Sequence, residues 1–148
     1  MSGNIEPLFS ASGRVLLGLY FFLAGGLNKV FNFQSHSDYM AGHDINLIPF
    51  LLTTTMLIQL IAGATLIIGY QTKVSAFLLA SLTLAISLGV HYFWTMPAEE
   101  LQTAHETQNF IKNMGIMAGL LVCAGLGGGQ WSLDNLISRE RQQNCQPM

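Results

Sequence analysis

Charge is what this sequence has least of. Of its 148 residues, 9% are Asp, Glu, Lys or Arg, against roughly a quarter in soluble domains, while 51% are hydrophobic. A chain of that composition belongs in a bilayer, and its apolar runs leave little over for a soluble lobe. Any separate catalytic domain has to come from another chain. The six Lys and Arg are spread singly and the net charge is −2. There is no basic patch, so nucleic acid is not an expected partner. Cysteine is also scarce: Cys123 lies inside the last apolar run and Cys145 in a polar tail. They form no CxxC, no haem-attachment signature and no disulfide framework, and Cys123 reads as a small packing residue. The glycine run Gly125 to Gly129 lacks the lysine and the strand–loop–helix setting of a phosphate-binding loop. It reads as a helix exit.

What remains is four apolar stretches. The stretch from Asn113 to Leu133 carries no charge and suffices to cross ~30 Å of hydrocarbon at 1.5 Å per residue. Gly115, Gly119 and Cys123 share a helical face with Lys112, a smooth strip on which another helix can pack. Val15 to Asn28, between Arg14 and Lys29, is short enough to be a signal-peptide core. The segment before it is acidic and poor in basic residues, which favours a helix over about 13–31 whose end charges extend to opposite interfaces. Arg14, Gly18, Gly25 and Lys29 then share an inward face. A second crossing covers about 47–70, with Pro49 in its first turn and Gln59 near its middle, where an amide needs an interhelical partner. Gly69 to Lys73 is a tight turn into a third crossing, about 74–94, whose Ala76, Ala80, Thr83, Ser87 and His91 form a small-residue face. The fourth covers about 110–131. The fold class expected is an all-α, integral-membrane four-helix bundle, antiparallel up-down-up-down, in a single domain over 1–148.

Four crossings put both termini on one side. Arg14, Lys73, Arg139 and Arg141 fall on that side, and Lys29 and Lys112 on the other with most of the acids. By the positive-inside tendency the termini are cytoplasmic and the protein sits in the inner membrane.

At the outer level, Lys29, His91, Lys112 and Asn113 come from three helices and can converge. In one reading the lysines merely snorkel and His91 makes a packing hydrogen bond. In the other, the four hold the head group of a quinone or an anion. At the inner level Arg14 and Asp134 can pair, with Ser132 as a nearby donor, in a structural clamp between the first and last helices. His36, Asp38, His43, Asp44, His105 and Glu106 are metal-ligand types without a diagnostic spacing, in segments read as solvated loops, so no metal is expected. A haem between two membrane histidines needs facing partners, and His91 is the only histidine in any predicted span.

The segments GRVLLGLYFFLAGGLNKVF, LIAGATLIIGYQTKVSAFLLA, HYFW, QNFIKNMGIMAGLL and GLGGGQWSLD, in this order, resemble the DoxX family of small four-helix membrane proteins. The resemblance runs from about 13 to 134. It implies association with membrane oxidoreductase or redox-stress assemblies, the family taking its name from a subunit associated with a thiosulfate:quinone oxidoreductase. It carries no catalytic residues over. The function expected is a small subunit or accessory of a quinone-linked membrane system, with lipid and either a partner subunit or a second copy as its contacts. The alternative is a non-catalytic assembly protein whose small-residue faces bind partner helices. A transporter is disfavoured, because one four-helix set has no second repeat to move against.

Overall fold

The computed structural model describes residues 5–42, 47–97 and 99–144. His43, Asp44 and Cys145, read above as loop and tail residues, lie outside the described residues. The described residues form helices and turns, with no strand among them. Four helices are long and apolar enough to cross a membrane: Ile5–Phe31, Ile48–Ile68, Thr72–Thr95 and Leu101–Leu126. The expected helical membrane bundle is what forms.

The first span is built from α1 (Ile5–Leu19), a π-helical stretch (Tyr20–Leu27) and α2 (Asn28–Phe31). It begins at Ile5 rather than near 13, because the residues before Gly13 carry Glu6 as their only charge and continue the same helix. Its buried face holds Arg14, Gly18, Phe21, Gly25 and Gly26. That face packs on α4 (Ile48–Ile68) at backbone distance. A Cβ added to Gly18 would lie 2.9 Å from the Gly63 carbonyl oxygen, and one added to Gly63 would lie 2.9 Å from the Phe22 nitrogen. Lipid gives little hydrophobic drive between helices, so such close contact is what holds a seam together.

Pro49 occupies the first turn of α4, and Gly69 ends the helix with φ +73°. Only glycine takes that left-handed turn without strain. The chain reverses through Gln71 into α5 (Thr72–Gly89), which buries Ala76, Leu79, Ala80, Thr83 and Ser87, the small-residue face expected for it. Phe93–Thr95 form a 3₁₀ turn beyond its end. These helices and α6 (Leu101–Leu126) share a core of Phe21, Ala62, Leu66, Ala76, Leu79, Ala80 and Leu120. End contacts join neighbours head to tail. Arg14 reaches Leu66 and Ile67, Thr65 meets Ser75, and His91 meets Glu106.

Helix α6 starts at Leu101 rather than near 110 and ends at Leu126, where Gly127 takes φ +86°. A charge-free window cannot see its first turns, because their polar groups find partners inside the protein. Helix α6 buries Thr103, Glu106, Asn113 and Leu120. The strip expected to pack is used only in part: a Cβ on Gly119 would touch Leu17 at 3.5 Å, while one on Gly115 would meet nothing. Two further helices replace expected irregular chain. They are α3 (Phe33–Ala41), in the first polar loop, and α7 (Leu133–Asn144), in the tail.

Candidate functional site

A cavity of about 660 Å³ opens at the end of the bundle where the first and third spans finish and the fourth begins. Lys29, His91, Lys112 and Asn113 all line it, together with Gln59. Helix α3 contributes Ser35, His36, Tyr39 and Met40 to its wall.

Lys29 stands half-buried on α2. Its ammonium donates to the Gly25 carbonyl oxygen at 3.0 Å and to Gln59 Oε1 at 2.8 Å. Glycine at position 25 leaves room for this arrangement, since a Cβ there would lie 2.8 Å from the Gln59 amide carbon and would push that side chain from its place. Gln59 is thereby the interhelical link its mid-span position suggested, but its partner is a cation. Among the described residues no carboxylate pairs with Lys29. An ammonium has three N–H donors; with two committed to neutral oxygens, one is left for the cavity.

On another wall Glu106 is 1% exposed and His91 is partly buried. His91 Nδ1 lies 2.6 Å from Glu106 Oε2, while Glu106 Oε1 accepts from the Tyr39 hydroxyl at 2.8 Å and from Gln102 Nε2 at 2.6 Å. A carboxylate at this depth is tolerable because its lone pairs are met by donors from α3, from the segment after α5 and from α6 itself. Burial, followed by the bond to Glu106, pushes the Tyr39 hydroxyl well above its usual range. Tyr39 therefore stays protonated and keeps donating. His36 is held below its usual value, first by burial and then by Lys29.

Asn113 is buried and donates to Ser87 Oγ at 3.0 Å, and Ser87 donates to the Thr83 carbonyl at 2.7 Å. That chain fixes α6 to α5 and sets the depth at which the site lies. Lys112 is exposed at the rim and donates to Asn109 Oδ1 at 2.9 Å. Two residues of this site stand apart from the sequence reading: Glu106 figures there only as a metal-ligand type in a polar loop, and Tyr39 is not singled out. The signal for Glu106 was present in the spacing of Gln102, Glu106, Asn109 and Asn113, which places them on one helical face. His105 also stands on α6 and lines the cavity, so His91 is not the only histidine on a span.

At the opposite rim the expected Arg14–Asp134 pair does not form. Arg14, 3% exposed, donates to the carbonyls of Leu66 and Ile67 at 2.6 Å and of Trp131 at 2.7 Å. Asp134 accepts from the backbone N–H of Gln71 at 2.7 Å and of Thr72 at 2.8 Å. Each charge has gone to a helix end of the matching polarity. The last turn of α4 leaves carbonyls free for a cation, and the first turn of α5 leaves N–H groups free for an anion. Ser132 accepts from the Asn135 N–H at 3.2 Å and donates to the Gly129 carbonyl at 2.6 Å, opening α7. Arg14 and Asp134 still tie separate helices together, while the bonds of Ser132 stay within its own turn.

A family model described as DoxX matches residues 9–92 of the chain. Among curated proteins, the chain is 25% identical over 137 residues to inner membrane protein YqjF of Escherichia coli, covering 93% of this chain and 98% of that one. It is also 25% identical over 132 residues to inner membrane protein YphA of the same organism, covering 89% and 92%. It is 32% identical over 115 residues to a Surfeit locus protein 4 homolog of Drosophila melanogaster, covering 74% of this chain and 43% of that longer protein. No solved structure matches it.

Proposed function

The chain belongs to the DoxX family, and from that premise we propose that it is an inner-membrane accessory subunit of a quinone-linked redox system, with a quinone-class head group held in its outer cavity. The observation that carries this reading is Lys29, a cation at membrane depth with neutral oxygens as its only described partners and a donor to spare. Ionisable groups so placed mark ligand sites by default. The residues present fit such a head group. The cavity is within the ~300–1,000 Å³ of small-molecule pockets, a quinone oxygen can accept from Lys29, and His91 offers Nε2 while Glu106 fixes its ring through Nδ1. A bound quinone supplies two-electron redox chemistry. The protein supplies a polar seat within an apolar wall, with a histidine ring held in place by Glu106. The two Escherichia coli relatives carry inner membrane in their names, which supports that location here, with the termini on the cytoplasmic side.

Gly18, Gly25, Gly26 and Gly63 are spent on contacts within the chain, which leaves the partly used Gly115 and Gly119 strip of α6 as the face the assembly-protein alternative would use. Purification in mild detergent followed by mass spectrometry of co-purifying chains and lipids tests the proposal. A quinone recovered with the protein and a redox partner chain is the expected outcome. A stoichiometric partner with no quinone favours the assembly reading.

A further inference from the structure

A second recess, of about 550 Å³, lies at the opposite rim between the Gly127–Gly129 exit of α6, the start of α5 and helix α7. Lys73 and Arg141 both line it, and among the described residues neither makes an ion pair. The one carboxylate among its described lining residues, Asp134, has both oxygens committed to the N–H groups of Gln71 and Thr72. It forms no ion pair with either cation among the described residues, and two cations against one carboxylate leave the lining with a net positive charge. The Thr72 hydroxyl also belongs to this wall, fully buried and without a hydrogen-bond partner among the described residues. Gly127 keeps the wall open beneath the lysine stem, since a Cβ there would lie 3.3 Å from Lys73 Cε. Leu126 and Val74, which are 82% and 62% exposed, line the recess as an apolar shoulder, and Trp131, 57% exposed, directly precedes its Ser132 in the chain.

Two cations free of ion pairs, in a recess of net positive charge with apolar lining at the end of a membrane bundle, match one kind of molecule. We propose that this recess binds the phosphate of an anionic glycerophospholipid, with Lys73 and Arg141 facing the phosphate and the apolar shoulder facing its acyl chains. Cations at the membrane surface attract anionic lipid, and an exposed tryptophan suits the interface where head groups meet chains. A zwitterionic lipid brings its own cation and gains less from this pair. The proposal shares no residue with the outer cavity, so it stands or falls independently of the quinone reading.

The test is native mass spectrometry of the full chain in detergent, titrated with phosphatidylglycerol and with phosphatidylcholine of matched acyl chains. The wild type is expected to prefer phosphatidylglycerol by about thirtyfold, each cation contributing about fivefold. The double change Lys73→Gln with Arg141→Gln should remove that preference. Lys73→Arg with Arg141→Lys should retain it, and so should Arg139→Gln, which alters α7 outside the recess. If the double neutral variant does not fold, Arg141→Gln alone should still lower the preference about fivefold. Equal binding of the two lipids by the wild type overturns the proposal, as does an undiminished preference in the neutral variants. Displacement of phosphatidylglycerol by millimolar inorganic phosphate overturns the lipid assignment and makes the site one for free phosphate.

Discussion

His91 Nδ1 and Glu106 Oε2 lie 2.6 Å apart, across the junction that joins the third span to the fourth. The carboxylate is also the acceptor for Tyr39 and Gln102, so one buried side chain gathers three segments at the mouth of the cavity. Glu106→Ala strips three donors of their acceptor at once and should lower stability by about 3 kcal/mol. Tyr39→Phe removes a single donor and should cost about 1–2 kcal/mol. Thermal or denaturant unfolding in detergent checks both. Equal, small losses in the two variants would mean the carboxylate does not organise the junction.

Arg14 is held by two carbonyl oxygens at the end of α4 and by that of Trp131 before α7, a task that needs the planar fork of a guanidinium. Arg14→Lys keeps the charge but cannot reach all three acceptors, and is expected to cost about 2 kcal/mol. Asp134→Asn weakens the charge-assisted cap on α5 and should cost about 1 kcal/mol. Melting temperatures of the two single variants decide the point. A silent Arg14→Lys would show that charge alone matters there.

The acid side of the stability profile should contain a contribution from His36. Its pKa in the folded chain is below the usual 6.5, owing to burial and then to Lys29. The folded state therefore binds fewer protons than the unfolded one in that range, and the contribution is present above the unfolded pKa and lost as pH falls through the folded pKa. His36→Gln should remove this slope, so that the parent loses stability relative to the variant as pH falls below about 6.5. Parallel melting curves for the two across that window would contradict it.

Orientation is read from exposed positions on α3, before α6 and on α7. Cysteines at Gln34 and Glu99 should react with an impermeant thiol reagent added outside intact cells, and one at Gln142 should not, with Cys145 replaced throughout. Labelling at Gln142 alone would invert the bundle.

The helices were legible in the sequence because an uncharged run of sufficient length has few other uses, and because small residues at helical spacing marked the inward faces of the first and third spans. The convergence of Lys29, His91, Lys112 and Asn113 on one cavity followed from alternating direction alone. Glu106 was hidden by the same criterion that revealed the spans. Counting charges ends a helix where the polar residues begin, and a carboxylate met by Tyr39, His91 and Gln102 is invisible until the fold brings them together. Arg14 and Asp134 were placed at the right rim with the wrong partners. Backbone carbonyls and N–H groups at helix ends carry no signature of their own, although they are left without intrahelical partners there.

The central claim is that the outer cavity seats a polar head group on Lys29 and His91. Titration of the full chain in detergent with a quinone analogue, followed by quenching of tryptophan fluorescence, tests it directly. The parent should bind saturably. Lys29→Met and His91→Phe should each weaken binding at least about tenfold, the loss of one charge-assisted or buried hydrogen bond, while Lys112→Met at the rim weakens it less. Cooperative unfolding in these variants, with a stability loss no larger than that of Tyr39→Phe since each gives up one buried hydrogen-bond partner, is part of the expected result. Saturable binding that is unchanged in Lys29→Met and His91→Phe, or no binding by the parent, would contradict the account.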